Sequence, residues 1–245
     1  MNDNFSPSDQ YAKYHPPYPK ELFDFLNDVV EPKNYVWDCG TGNGQLAFEL
    51  AKTFGEVFAT DISQSQIYNS FKAKNIVYSV QPAEQTNFND EVFDLIIVGQ
   101  AIHWFDFDKF YSEVNRTLRP DGVICIVGYG RIQVSDDIDE IISDLYSNVL
   151  ASYWEKERRY VEENYQTIPF PFDEIELPEF ANERRWELDQ LVGYLNTWSA
   201  VKHFIKANGY NPIDEIKPKL QELWGTRDLR RMYFPMMVRM GVKFE

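Results

Sequence analysis

Tyr35-Val36-Trp37-Asp38-Cys39-Gly40-Thr41-Gly42-Asn43-Gly44-Gln45-Leu46-Ala47 is the stretch that decides how this chain is read. Its first three residues are aromatic or β-branched and the fourth is an acid, which predicts a strand. Gly40 to Gly44 is a turn, and Gln45 to Thr53 carries Leu46 and Leu50 at helical spacing. A strand that meets a glycine turn and then a helix is a ligand loop. Glycine lets the backbone approach a bound molecule, and the first turn of a helix offers unpaired N–H groups. Two ligands compete for it. Gly42-x-Gly44-x-x-Ala47 satisfies the dinucleotide fingerprint, and Asp61 follows 19 residues after Gly42. A pyrophosphate there would face the carboxylate of Asp38, a repulsion that grows as water is excluded, whereas a cationic ligand is drawn to it. Asp61 can take both ribose hydroxyls in either case, so an adenosine-type ligand is expected and its other half stays open.

Outward from this loop, short apolar runs alternate with amphipathic stretches from residue 19 to 130, the order of a mostly parallel sheet with crossover helices. Pro19 opens a helix at its first position, with Leu22, Phe23, Leu26, Val29 and Val30 on its inner face and Pro32 as its stop. Val57 to Thr60, Ile76 to Val80, Phe93 to Val98 and Val123 to Val127 read as strands. Ser63 and Gln66 fit a capping box, predicting a helix from 64 to about 74. Phe107 to Leu118 is a further helix, ended by Arg119-Pro120-Asp121-Gly122. After Gly130, Ile138 to Tyr153 marks one long helical face. Glu183 to Leu188 reads as a strand, 189–198, 200–208 and 214–224 as helices, and 236–244 as a terminal strand. The expected fold is α/β and Rossmann-like: a mostly parallel seven-stranded sheet with helices on both faces and a helical cap from the C-terminal half. The expected organisation is one domain over 1–245: an N-terminal lid and helix (1–32), a cofactor core (33–130), a cap that holds the acceptor (131–235) and a terminal strand (236–245).

The formal charge is −15, from 24 Lys and Arg against 39 Asp and Glu, so polyanionic nucleic acid and anionic lipid are poor partners. No apolar run reaches the ~18–20 residues of a membrane span, and the polar residues 1–10 lack the order of a signal peptide, so a cytoplasmic location is expected. Cys39 and Cys125 lie in apolar runs and read as small hydrophobes. With three histidines scattered along the chain, no metal-ligand spacing exists and no metal is expected.

Five ordered motifs, Asp38-x-Gly40-x-Gly42-x-Gly44, Asp61, Ala83-Glu84, Phe93-Asp94-Leu95 and Leu118-Arg119-Pro120-Asp121-Gly122, resemble those of class I S-adenosylmethionine-dependent methyltransferases. The outer motifs Tyr14-His15-Pro16-Pro17-Tyr18-Pro19, Gln100-Ala101-Ile102-His103-Trp104-Phe105-Asp106 and Trp198-Ser199-Ala200 are similar to the small-molecule branch that includes yeast trans-aconitate methyltransferase. The resemblance implies S-adenosyl-L-methionine as cofactor and a small-molecule acceptor methylated on a carboxylate or hydroxyl oxygen. It implies that Asp38, Gly40, Thr41, Gly42 and Gly44 hold the methionine part, Asp61 the ribose, Ile62 the adenine face and Ala83 the adenine edge, with Gln100 also on the cofactor. Pro82 stands where many relatives carry an acid for the adenine amino group, so Glu84 or a backbone carbonyl would serve instead. Tyr14-His15-Pro16 departs from the family's Tyr-Arg-Pro.

The acceptor side is expected to involve Tyr14, Tyr18, His103, Trp104 and Arg131. His103 and Trp104 follow the fourth strand, at the sheet end where open α/β sheets hold ligands. His103 is a base for an acceptor hydroxyl, a group that only orients an acceptor carboxylate, or a satisfied structural histidine, and Trp104 either lines the acceptor or is core. Tyr11, Tyr14 and Tyr18 share a spacing that suits one helical face or a lid. Arg131, just past the fifth strand, is a candidate anion anchor. His203 reads as surface, and Glu155 to Arg159 as a solvated helix face.

Overall fold

The computed structural model describes residues 14–226 and 228–243. Tyr11 and the ends of the predicted lid and terminal strand lie outside them. The chain divides into two compact units, one of residues 17–130, 159–180 and 236–245, the other of residues 1–16, 131–158 and 181–235.

The first unit contains the glycine loop. Its elements run α1 (Lys20–Val29), β1 (Tyr35–Cys39), α2 (Gln45–Leu50), β2 (Glu56–Asp61), α3 (Gln64–Tyr68), β3 (Ile76–Val80), β4 (Phe93–Gly99), a 3-10 turn (Ile102–Trp104), α4 (Phe107–Thr117) and β5 (Leu118–Tyr129). The sheet order is β3-β2-β1-β4-β5, all parallel. It continues antiparallel through the second half of β8 (Arg230–Val242) to β6 (Asp173–Glu174). Strand order reverses between β1 and β4, and the crevice at the carboxyl ends of those strands is where such sheets take ligands.

Alternation along the strands feeds two cores. Val36, Val57, Ala59, Leu95, Ile97, Val123, Cys125 and Val127 pack with Leu22 and Leu26 of α1 and Leu46 and Leu50 of α2. Trp37, Cys39, Phe93, Ile96, Val98, Ile124 and Ile126 pack with Phe110 and Val114 of α4 and with Tyr165 and Ile168. Side chains one residue apart point to opposite faces, so each fully buried strand supplies both cores. Both cysteines are free and buried, as small hydrophobes. Two of the recognised motifs turn out to be structural. The Asp94 carboxylate accepts from the backbone N–H of Asn34 and Tyr35, both at 2.8 Å, and from Arg119 Nε at 2.6 Å, tying β1, β4 and β5 together.

The other unit contains α5 (Asp136–Asp144), β7 (Ala181–Trp186), α7 (Leu188–Thr197), α8 (Ser199–Asn208), α9 (Pro212–Trp224) and the first half of β8; α6 (Arg158–Glu162) spans the unit boundary. α9 packs on α5, α7 and α8. Phe234 meets Trp186 and Tyr194 edge-on at 5.3 and 5.5 Å.

Several expectations need correction. The strand predicted near 183 forms, but it pairs with Arg230–Pro235 in the second unit. The seventh place in the first unit's sheet goes to the two-residue β6, too short to be visible as a pattern. Helix α3 stops at Tyr68 because Ser70 Oγ and Asn69 Nδ2 donate to the carbonyls of Ile67 and Ser65, local bonds that compete with helix continuation. Ser63 caps it as predicted, accepting from Gln66 N at 3.4 Å, but the Gln66 carbonyl oxygen makes no return bond. Pro19 is the cap residue of α1 rather than its first residue. The long face from 138 to 153 breaks after Asp144 into a π turn and a 3-10 turn, where Tyr146 packs on Trp154 at 4.5 Å and Trp198 at 5.7 Å.

Candidate active site

The loop after β1 carries three glycines with positive φ, at +70, +56 and +81° for Gly40, Gly42 and Gly44. Their surroundings differ. A Cβ on Gly40 would lie 2.7 Å from the Ala101 methyl, and one on Gly44 2.2 Å from the Tyr78 hydroxyl, whereas at Gly42 nothing lies within 4 Å. Gly40 and Gly44 let protein pack closely, and Gly42 alone leaves open space beside the backbone.

Asp38, the next-to-last residue of β1, is fully buried. Its Oδ2 accepts from the Thr41 hydroxyl at 2.5 Å and from Ala47 N, in the first turn of α2, at 2.9 Å. Its Oδ1 is buried without a hydrogen-bond partner, as is the side-chain amide nitrogen of Asn43 in the same loop. Burial pushes the Asp38 carboxyl up to about 7 despite the bonds from Thr41 and Ala47, and the nearby charge of Asp61 adds to the rise. A buried acceptor with an unused oxygen is costly unless a cationic group completes it, so the residues present fit an ammonium- or sulfonium-bearing ligand and not a pyrophosphate.

Asp61 ends β2. Its two oxygens accept from Gly42 N at 2.9 Å and Ser63 N at 2.8 Å, so the carboxylate fixes the loop and still has a second lone pair on each oxygen. Ile62 beside it is 77% exposed, a large apolar surface left beside a loop. Ala83 lies in the aromatic core with Trp37 and Phe93, so its methyl faces the protein interior. Glu84 Oε1 accepts from Asp106 N at 3.1 Å, just before the first turn of α4, where a carboxylate offsets the helix dipole.

At the carboxyl ends of β4 and β5 a second polar group assembles. Gln100, with φ of +54°, donates from Nε2 to the Tyr129 carbonyl at 3.0 Å, and its Oε1 accepts from the Tyr165 hydroxyl at 3.2 Å. That hydroxyl lies 3.3 Å from Nδ1 of His103, which is buried. Gln100 is therefore held by protein groups rather than presented as a loose ligand contact. Trp104 is 53% exposed, its ring 5.0 Å from that of His103, and is not a core residue. Gly128 accommodates Tyr165, whose ring lies 2.8 Å from where a Cβ would stand. Tyr165 is the member of this group that the sequence did not reveal. It follows a helix in a polar stretch, has a positive φ of +60°, and reaches β4 only through the tertiary fold.

Tyr14 and Tyr18 do not share a helical face. Tyr18 Oη lies 2.9 Å from the Cβ position of Gly99 and its ring 6.2 Å from Tyr129, within the first unit. Tyr14 rests against Gly193 in the second unit. Pro16 and Pro17 between them rule out a continuous helix. His15 in that unit is edge-on to Tyr194 at 5.6 Å, and burial, with the charge of Lys202, lowers its pKa to about 3. Arg131 lies 5.5 Å over the Tyr146 ring and donates to Ser143 Oγ at 3.3 Å. Glu155 and Arg158 are engaged rather than solvated. Glu155 accepts from Ser199 Oγ at 2.8 Å, and the Arg158 guanidinium lies 4.9 Å from the Trp154 ring centre. His203 is half exposed, with Nδ1 3.0 Å from the Tyr153 carbonyl.

Residues 37–126, which hold the glycine loop, β2, β4 and α4, match the family model described as "Methyltransferase domain". A Dictyostelium discoideum protein named as a methyltransferase is 32% identical over 93% of this chain and 89% of its own length. A Saccharomyces cerevisiae protein named as an S-adenosylmethionine-dependent methyltransferase is 24% identical over 78% of this chain and 68% of its own. A solved structure described as a type II methyltransferase from Anaeromyxobacter dehalogenans superposes with a TM-score of 0.86 at 39% identity, covering 94% of this chain and 98% of that one. The orphaned oxygen of Asp38 had already set aside the dinucleotide reading of Gly42-x-Gly44-x-x-Ala47, and these likenesses agree: the chain belongs to the S-adenosylmethionine-dependent methyltransferases of Rossmann-like fold.

Proposed function

We propose that this enzyme methylates an oxygen atom, of a carboxylate or a hydroxyl, on a small molecule, as in the branch around trans-aconitate methyltransferase. The observation that carries this reading is the buried His103 just after β4, with Nδ1 3.3 Å from the Tyr165 hydroxyl, beside the exposed Trp104. The net charge of −15 disfavours a polyanionic acceptor. No helix among the described residues is long and apolar enough to cross a membrane, which is compatible with a cytoplasmic enzyme acting on a dissolved acceptor.

When bound, S-adenosylmethionine supplies a methyl group on a sulfonium that leaves as a neutral thioether. The protein's part is to orient donor and acceptor and to exclude water; orientation alone can supply ~7–11 kcal/mol. In this reading Asp38 Oδ1 takes the cationic methionine end, and Gly40, Thr41, Gly42 and Gly44 shape the loop beneath it. Asp61 accepts from the ribose through its remaining lone pairs, and Ile62 covers one adenine face. The backbone at Ala83 and Glu84 meets the adenine edge, and Gln100 acts as a brace behind the cofactor. Tyr14, Tyr18, His103 and Trp104 serve the acceptor, Arg131 anchors an anionic one, and 131–235 is the acceptor-side part of a single methyltransferase domain.

Calorimetric titration with S-adenosylhomocysteine, run beside NADH, tests the donor half. Transfer of a labelled methyl group to panels of small carboxylic acids and hydroxyl compounds tests the acceptor half. Label appearing only on protein or nucleic acid would refute the small-molecule reading.

A further inference from the structure

We infer that Arg131 and Arg158 form an anion subsite in the second unit, and that the acceptor is an acid whose carboxylate is held there while a different oxygen of the same molecule receives the methyl group. This rests on the proposed oxygen methylation and narrows it. Both guanidiniums are drawn to one ring. Arg131 lies 5.5 Å from the ring centre of Tyr146 and Arg158 5.6 Å, with Arg158 Nε donating to the Tyr146 hydroxyl at 2.9 Å. The Arg158 guanidinium is also 4.9 Å from the ring of Trp154, which packs on Tyr146 at 4.5 Å and on Trp198 at 5.5 Å. Trp154 Nε1 donates to the Tyr146 carbonyl at 3.1 Å, which fixes the two rings against each other. Tyr146 stands in the π turn Leu145–Val149, a break in helical spacing that turns its ring out of the regular face of α5.

Among the described residues neither arginine forms an ion pair, whereas Arg116, Arg119, Arg231 and Arg239 each hold an Asp or Glu, as a chain with 39 acids against 24 Lys and Arg leads one to expect. Acids close by in sequence are turned elsewhere. Glu155 accepts from Ser199 Oγ at 2.8 Å and faces His203 at 3.7 Å, Asp144 accepts from Asn148 Nδ2 at 2.7 Å, and Asp139, which feels the charge of Arg131, accepts from Val134 N at 2.8 Å. Two cations against one ring repel each other, and the ring's negative face offsets that only in part. An anion that touches both turns the repulsion into attraction. The donors for it are at hand. Arg131 spends Nη1 on Ser143 Oγ at 3.3 Å and Arg158 spends Nε on Tyr146, which leaves the end-on pair Nη1 and Nη2 of Arg158 for a ligand. That planar fork matches the two oxygens of a carboxylate. A carboxylate so held has its lone pairs committed to N–H donors and is a poor nucleophile, so the methyl group goes to a second carboxylate or a hydroxyl of the acceptor. The electron pair of that oxygen forms the O–CH3 bond, and the electrons of the broken C–S bond remain on sulfur. A hydroxyl passes its proton to water, and a carboxylate has none to give.

Benzoate and benzamide, which share a shape and differ in charge, test the subsite by calorimetric titration of the whole protein. Benzoate is expected to bind about tenfold or more tightly than benzamide. Its affinity is expected to fall about tenfold or more in Arg131→Gln and in Arg158→Gln, with benzamide unaffected. Arg158→Lys keeps a positive charge over the ring and loses the fork; it is expected to weaken benzoate several-fold, which separates loss of the fork from any folding defect of the Gln variants. Because benzoate has only the carboxylate that is held, it is expected to bind without accepting label from S-adenosylmethionine. On an acceptor found by label transfer, Arg158→Gln is expected to raise KM about tenfold or more and to leave kcat within about threefold. Benzoate that binds no tighter than benzamide, or equally well in all three variants, overturns the subsite whether or not the enzyme methylates oxygen. Methylation of benzoate itself overturns the division between held and methylated oxygens while leaving oxygen methylation standing.

Discussion

Replacing Asp38 by Asn should make the ligand-free protein more stable and the cofactor complex weaker. The carboxyl is fully buried, with Oδ1 unpartnered, and burial raises it from its ordinary 3.8 to about 7. Between those values the unfolded chain has lost this proton while the folded protein keeps it. Folding stability therefore falls by ~1.4 kcal/mol for each pH unit across the window and levels off above about 7. Across the whole gap the loss is about 4 kcal/mol, and an amide, which never ionises, escapes it. Binding of a cation has the opposite sign, because it requires the ionised carboxylate. With a free-protein pKa near 7, affinity for a cationic ligand should drop about tenfold per pH unit below 7, and about 90-fold in all between pH 8 and pH 5. Near pH 7 binding should release about half a proton. Titration calorimetry in buffers of different ionisation enthalpy measures that release directly, and thermal unfolding without ligand measures the stability. Asp38→Asn should raise the ligand-free melting temperature at pH 8, weaken S-adenosylhomocysteine binding there by roughly 100-fold, and flatten its pH dependence. A wild-type affinity constant from pH 5 to 8, or a slope that persists in the variant, would refute the assignment of Asp38 to the cationic end.

Gly42→Ala should cost only the ~1–2 kcal/mol of a positive φ, whereas Gly40→Ala adds a methyl 2.7 Å from that of Ala101 and should cost about 2–4 kcal/mol. Equal shifts in denaturant midpoint would show that Gly40 is not closely packed. Asp94→Asn breaks the buried pair with Arg119 and should cost about 3–5 kcal/mol while leaving the cofactor loop intact; a loss below ~1 kcal/mol would mean the pair is solvent-screened. Asp61→Ala removes the acceptor for Gly42 N and Ser63 N and should weaken S-adenosylhomocysteine binding by roughly tenfold or more with little change in the circular dichroism spectrum. Undiminished affinity would remove Asp61 from the site.

The parallel core was legible because its strands are buried on both faces. Runs such as Phe93 to Val98 and Val123 to Val127 are continuous and apolar, and each lies within a strand, although β5 begins at Leu118 and so includes the Arg119-Pro120-Asp121-Gly122 stretch read as the end of a helix. What failed were boundaries governed by local side-chain bonds, as at Asn69 and Ser70, and the two-residue β6, which has no periodicity to detect. The pair Asp94 and Arg119 was noticed as two motifs, but their union across 25 residues appears only when β4 and β5 lie side by side.

By itself the sequence determined the strand, loop and helix around Asp38, the acid at the end of each of the first two strands, and the family to which they belong. These are properties of neighbouring residues: backbone propensity, glycine at positions of positive φ, and alternation. Only the tertiary structure decided which atoms of those residues remain unpaired. Asp38 Oδ2 is consumed by Thr41 and Ala47 while Oδ1 is not, and Asp61 braces the loop as well as ending β2. It also brought Tyr165 to His103 across 62 residues, by packing that no local pattern records. Hydrogen-bond satisfaction is a property of the assembled surroundings, so chemistry that depends on a spare lone pair becomes readable only once the chain has folded.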